Sequence, residues 1–150
     1  MQKELKISGR VEIVLRGPDG KIKEREIVSN LIVSVGKYHI ADQLAGALED
    51  AMSHMAIGTG ETAAEASDTA LQSELDRNAL TSKAQGIGAA ANTVIYTGDW
   101  LAGDGTGNIT EAGIFNAASA GIMLCRTVFA AKGKGANDVF TLTWTLTISI

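Results

Sequence analysis

The chain has 150 residues, 45% of them hydrophobic and 20% charged, with a net charge of −4, which bounds it to one ordinary domain long enough to bury its own core. One cysteine excludes an internal disulfide, no apolar run reaches spanning length, and Met1 to Lys6 lacks the apolar core of a signal peptide, so synthesis in a reducing cytoplasm is expected. Residues 1–37 carry eight Lys or Arg against five acids, residues 38–80 carry Arg77 alone against eight acids, and residues 81–150 balance four against four. That polarity argues against a nucleic-acid binder, whose footprint is a basic surface with aromatic platforms; it is compatible with copies packing head to tail, although solvated faces alone explain it more simply.

Residues 5–16 alternate, with Leu5, Ile7, Val11, Ile13 and Leu15 on one face and Lys6, Ser8, Arg10, Glu12 and Arg16 on the other, which predicts a strand. Gly17-Pro18-Asp19-Gly20 supplies a tight reversal. Lys21 to Val28 returns as the second arm of a hairpin, and its charges suit a sheet edge. After apolar Leu31 to Val33 the spacing becomes helical: Val35, Tyr38, Ala41, Leu44, Ala45 and Leu48 fall near one face of a helix over about 35–48. Met55 to Ile57 reads as a short strand stopped by Gly58-Thr59-Gly60, and Glu61 to Ser67 as a loop. Ser67 or Asp68 can cap a short helix near 68–77, with Leu71 and Leu75 at i and i+4.

From Ala79 onward strands alternate with glycine-rich turns. Thr93 to Leu101 places Val94, Tyr96, Gly98 and Trp100 on one parity, with a bulge expected at the glycine. Gly103 to Gly107 turns, Asn108 to Asn116 is extended, Ala117 to Gly121 is a loop, Ile122 to Ala130 is a strand, and Lys132 to Asp138 links it to the last one. That strand sets Phe140, Leu142, Trp144, Leu146, Ile148 and Ile150 on a dry parity against a row of Thr and Ser. Two strongly alternating terminal strands need facing apolar layers, so the fold predicted is all-β, a β-sandwich or jelly-roll-like domain over 1–150 with a short amino-terminal arm. Its core and assembly candidates are Trp144, Leu146, Phe140, Trp100, Phe115 and Phe129.

No constellation announces a chemistry. Cys125 lies in an apolar run and reads as a small buried hydrophobe. His39 and His54 stand fifteen residues apart without a second ligand at helical or hairpin spacing. Asp99, Asp104, Asn108 and Glu111 are oxygen donors of the kind calcium takes, yet they lack the ordered ladder of a calcium loop. Gly58 to Gly60 and Gly103 to Gly107 could cradle phosphate, but neither carries the Gly-Lys-Ser/Thr of a P-loop, and turn chemistry suffices for both. No Gly-x-Ser-x-Gly elbow and no paired carboxylates stand out, so no enzymatic activity, cofactor or metal is expected.

Five stretches together resemble small structural proteins encoded among the virion genes of tailed bacteriophages: AIGTG at Ala56 to Gly60, SDTALQSELDRNALTS at Ser67 to Ser82, ITEAGIFNA at Ile109 to Ala117, MLCRTVF at Met123 to Phe129, and FTLTWTLTISI at Phe140 to Ile150. The resemblance covers most of residues 30–150, and it implies a virion component made in the host cytoplasm. Without heptads or an internal repeat, the chain suits a capsid decoration (cement) protein on the exterior of the head better than a fibre shaft. The implied partners are the major capsid protein and further copies of itself, as a trimer, with neither nucleic acid nor membrane. The alternative is a tail-fibre, collar or baseplate β module, with host-surface binding among its roles.

Overall fold

Strands that share a dry parity pair side by side, and the two terminal ones do so at full length. In the computed structural model, which describes residues 3–150, β1 (Lys6–Arg16) runs antiparallel to β10 (Val139–Ser149) from Lys6 opposite Ser149 to Arg16 opposite Val139. Of the expected arm, Met1 and Gln2 lie outside the described residues, and Lys6 already belongs to β1. The chain continues through β2 (Ile22–Ser29), β3 (Leu31–Ile32), α1 (Ser34–Ala45), β4 (His54–Gly58), β5 (Glu74–Ala79), β6 (Ser82–Gln85), β7 (Thr93–Trp100), β8 (Gly107–Phe115) and β9 (Met123–Lys134).

These form two five-stranded sheets, ordered β2-β1-β10-β7-β6 and β3-β9-β8-β4-β5, in which every described pairing is antiparallel. The fold is an all-β sandwich with one α-helix among the described residues. Charged β2 lies at an edge, where its polar side chains discourage pairing with another chain. Val11, Ile13, Leu15, Tyr96, Trp100, Phe140, Leu142 and Trp144 of the first sheet meet Met55, Ile57, Ile109, Ala112, Ile114 and Cys125 of the second. Each strand contributes alternate residues because each has only one face toward this layer. Gly98 keeps β7 in register with β10 and forms no bulge. Its missing side chain makes room for Met55, whose Sδ would lie 2.7 Å from a Cβ there.

Four further sequence expectations need correction. The helix ends at Ala45 rather than Leu48, because Gly46 adopts φ 64° and its N–H and that of Ala47 close back on Gln43 and Asp42 carbonyls. Its buried positions are Gly36 and His39, while Tyr38, Leu44 and Leu48 are exposed. Gly36 turns inward since the helix rests on the Leu124 backbone, where a side chain would collide with the carbonyl.

The short helix near 68–77 is absent: residues 74–79 pair with β4 as a strand, and the turn before them delivers backbone amides to a buried carboxylate. Lys132 and Lys134 belong to β9, which leaves 135–138 as the link, closed by an Asp138 N–H to Gly135 carbonyl bond. Finally, the dry ridge of β10 is covered only as far as Leu146. Ile148 is 41% and Ile150 75% exposed.

Candidate functional site

The outer face of the second sheet is also buried. Ala56, Phe115 and Met123 point away from the main core and, with Val33 and Leu71, form a second apolar cluster. The segment 59–73 lies over this face. At its polar centre are two ions of opposite sign, Glu111 on β8 and Arg126 on β9, which are 0% and 2% exposed. Ions this deep persist only when paired and hydrogen-bonded.

Both conditions are met. The Glu111 Oε2 accepts the N–H of Gly60 at 2.7 Å and of Ser73 at 2.8 Å, and its Oε1 accepts the N–H of Gln72 at 2.9 Å and the Arg126 Nε at 3.1 Å. The other guanidinium nitrogens of Arg126 donate to Asp68 Oδ2 and to the Thr62 carbonyl, each at 2.9 Å. The Thr110 hydroxyl donates to the Gly60 carbonyl at 2.7 Å. Gly58 and Gly60 are therefore needed for close approach, since a side chain at either would meet the Glu111 carboxylate. The glycine segment contributes one backbone N–H, that of Gly60, to a cradle completed by the N–H groups of Gln72 and Ser73, and the anion it holds is the chain's own carboxylate. Beside this hub Arg77 lies 3.8 Å over the Phe115 ring and donates to the Ala117 and Ala120 carbonyls. Arg77, like Arg126, pins a loop to the outer face.

The candidates singled out by sequence are dispersed. Trp100, Phe129, Phe140, Trp144 and Leu146 are buried in the main core, with the Trp100 and Phe140 rings 6.1 Å apart, whereas Phe115 belongs to the outer cluster. Cys125 is fully buried, and that burial pushes its thiol well above the ordinary range. Tyr96 is likewise pushed up to about 12 by burial. His39 Nδ1 contacts Glu49 at 3.0 Å, and His54 Nδ1 contacts the Ser53 hydroxyl at 2.8 Å.

The four oxygen donors weighed for calcium do not converge. Asp99 accepts from the Thr81 and Thr141 hydroxyls, Asp104 accepts from Asn78, Asn108 is exposed on β8, and Glu111 is enclosed in the hub. Among the described residues no group of three or more His, Cys, Asp or Glu could hold a metal ion.

A second polar cluster joins β5 to the turn after β7. The carboxyl groups of Asp76 and Asp104 face each other, an arrangement of acceptors that only a shared proton turns into a hydrogen bond. Burial first, then Asp104, raises the Asp76 pKa. The hydrogen bond from Asp76, with that from Asn78 Nδ2 at 2.7 Å, lowers that of Asp104. Since the folded-state pKa of Asp76 exceeds its unfolded value, its contribution is fully present below the unfolded pKa and is lost as pH rises through the folded one. Asp76→Asn supplies a permanent donor to Asp104. It is expected to stabilise the protein at pH 7 and to lose that advantage at pH 3, as measured by urea unfolding at both. Equal effects at the two pH values would contradict the shared proton.

Comparison with protein-family models, with curated proteins and with solved structures finds no match. The fold and the hub thus define a two-sheet β-sandwich whose charged centre fastens a surface loop. Neither hub residue was identified from sequence as a pair. The signal was there, because β8 and β9 each carry one ion of opposite sign inside a run of apolar residues.

Proposed function

We propose that this chain is a capsid decoration (cement) protein of a tailed bacteriophage, set on the exterior of the head as a symmetric homotrimer that bridges and stabilises major capsid subunits. One observation carries the reading: four of the five stretches that resemble phage virion proteins meet in the hub. AIGTG brings Gly58 and Gly60, SDTALQSELDRNALTS brings Asp68, Gln72 and Ser73, ITEAGIFNA brings Glu111, and MLCRTVF brings Arg126. The likeness therefore falls on residues that make interior contacts. That is the pattern of a shared structural role, since none of these groups is left free to react. A rigid sandwich with its loop fastened by a buried ion pair also suits a protein that must present one fixed surface many times over.

The test is addition of the purified protein to expanded heads that lack it. A ligand of the assembled shell stabilises it by mass action, so the heads are expected to resist heat or chelator better with the protein than without it. Heads no more stable with it, or binding confined to tails, would give the case to a tail or baseplate module.

A further inference from the structure

We propose that the cleft between α1 and the adjoining end of the main core binds a small apolar molecule that carries one hydroxyl group, a phenol or a medium-chain alcohol. The inference goes beyond the reading above and does not depend on it.

Five parts of the chain wall this cleft of about 280 Å³: Ile40 of α1, Met52 before β4, Val94 of β7, Leu124 of β9 and Leu146 of β10. The helix rests on the Leu124 backbone at Gly36, and the next turn brings His39 and Ile40 to the cleft. Its walls are mostly apolar side chains held on helix and strands, as in small-molecule sites generally. A cavity about half this size accepts benzene, so there is room for a ring bearing a short chain.

Two of the polar side chains that line the cleft keep a free hydrogen-bonding atom. His39 and Tyr96 are only 4% and 8% exposed. Glu49 engages the His39 Nδ1 at 3.0 Å, and among the described residues nothing bonds its Nε2. The Tyr96 hydroxyl has no partner among them either: burial, and after it Cys125, pushes it up to about 12, and no hydrogen bond offsets the rise. Neither atom is sealed away as the Trp100 and Trp144 indole nitrogens are, so both stay open to a molecule in the cleft. The remaining polar side chains there are engaged, Gln43 donating to the Glu49 carbonyl at 2.7 Å and Lys83 to the Met52 carbonyl at 2.9 Å.

Polar atoms this deep call for partners, and the two free ones define what fits. A carboxylate only accepts, so the His39 proton facing Glu49 sits on Nδ1, and Nε2 of the neutral ring is left as an acceptor. The Tyr96 hydroxyl is free to donate. One ligand hydroxyl answers both, giving its proton to Nε2 and accepting that of Tyr96. A carboxylate would leave Nε2 unmet, and a hydrocarbon would satisfy neither atom.

The test is an amide NMR titration of the full chain with p-propylphenol, p-propylbenzoate and propylbenzene. Saturable shifts are expected at Ile40, Met52, Val94 and Leu124, with the phenol held at least about tenfold more tightly than either analogue, the effect of one or two net hydrogen bonds. Tyr96→Phe removes only an unbonded hydroxyl. It should therefore keep the wild-type circular dichroism and thermal midpoint, weaken the phenol about tenfold and leave propylbenzene unchanged. A cleft that p-propylphenol does not saturate holds only water, and that result would overturn the proposal. So would propylbenzene or p-propylbenzoate binding as tightly as the phenol, or a folded Tyr96→Phe variant that binds the phenol undiminished. Should the variant fail to fold, the three compounds on the wild type decide the matter alone.

Discussion

Glu111→Ala is expected to lower the unfolding free energy by about 3 to 5 kcal/mol, the effect of breaking a buried ion pair from one side. The substitution leaves the Arg126 guanidinium buried with only Asp68 and the Thr62 carbonyl, and it strands the N–H groups of Gly60, Gln72 and Ser73. Each stranded donor carries its own desolvation penalty of about 1 to 3 kcal/mol unless the segment opens to water, and opening is the cheaper course. Urea unfolding measures the loss, and amide exchange at Gly60, Gln72 and Ser73 should accelerate by at least about a hundredfold as 59–73 lifts from the sheet. Removing both charges with Glu111→Leu and Arg126→Met should recover only part of the loss, since the three amides remain unpaired. A loss under about 0.5 kcal/mol with unchanged exchange would show that the hub does not hold the segment.

Trp144→Ala is expected to lower stability by about 3 to 5 kcal/mol, the range for deleting a large, fully buried aromatic side chain. Trp144 is 0% exposed on the central strand of its sheet, opposite Val11 on β1 and Tyr96 on β7. No neighbour is free to collapse into the space, because both flanking strands are fixed by ladder hydrogen bonds. Thr145→Ala on the opposite parity should change stability by no more than about 0.5 kcal/mol. Similar losses at both positions in chemical denaturation would contradict the assignment of faces.

The sheet architecture was legible where period-2 alternation ran long enough to have no rival. In β10 five threonine or serine positions interleave with apolar ones, and no helix accommodates that pattern. Helical regions misled because spacing counts apolar residues without knowing which surface meets them. Leu44 and Leu48 share a helical face, yet α1 docks through Gly36 and His39 against the Leu124 backbone, a contact that hydrophobicity does not announce. Leu71 and Leu75 satisfied an i, i+4 rule but lie in a turn and a strand. The deciding demand there comes from Glu111, distant in sequence, which needs the amides of residues 72 and 73. The hub itself is a long-range object. Gly60 and Glu111 are 51 positions apart, and their meeting follows from β4 and β8 being neighbours. Likewise the exposed end of the β10 ridge follows from the shorter reach of the facing sheet, which no single strand's sequence encodes.

Labelling of particles that carry this chain, intact and after the heads have been emptied and detached from the tails, tests the central claim most directly. An antibody to the exposed Leu101 to Thr106 turn is expected to decorate the whole outer surface of the head in both preparations and to leave the tail bare. Label restricted to the tail, or heads that take none while the chain is present in the particle, would contradict a decoration protein.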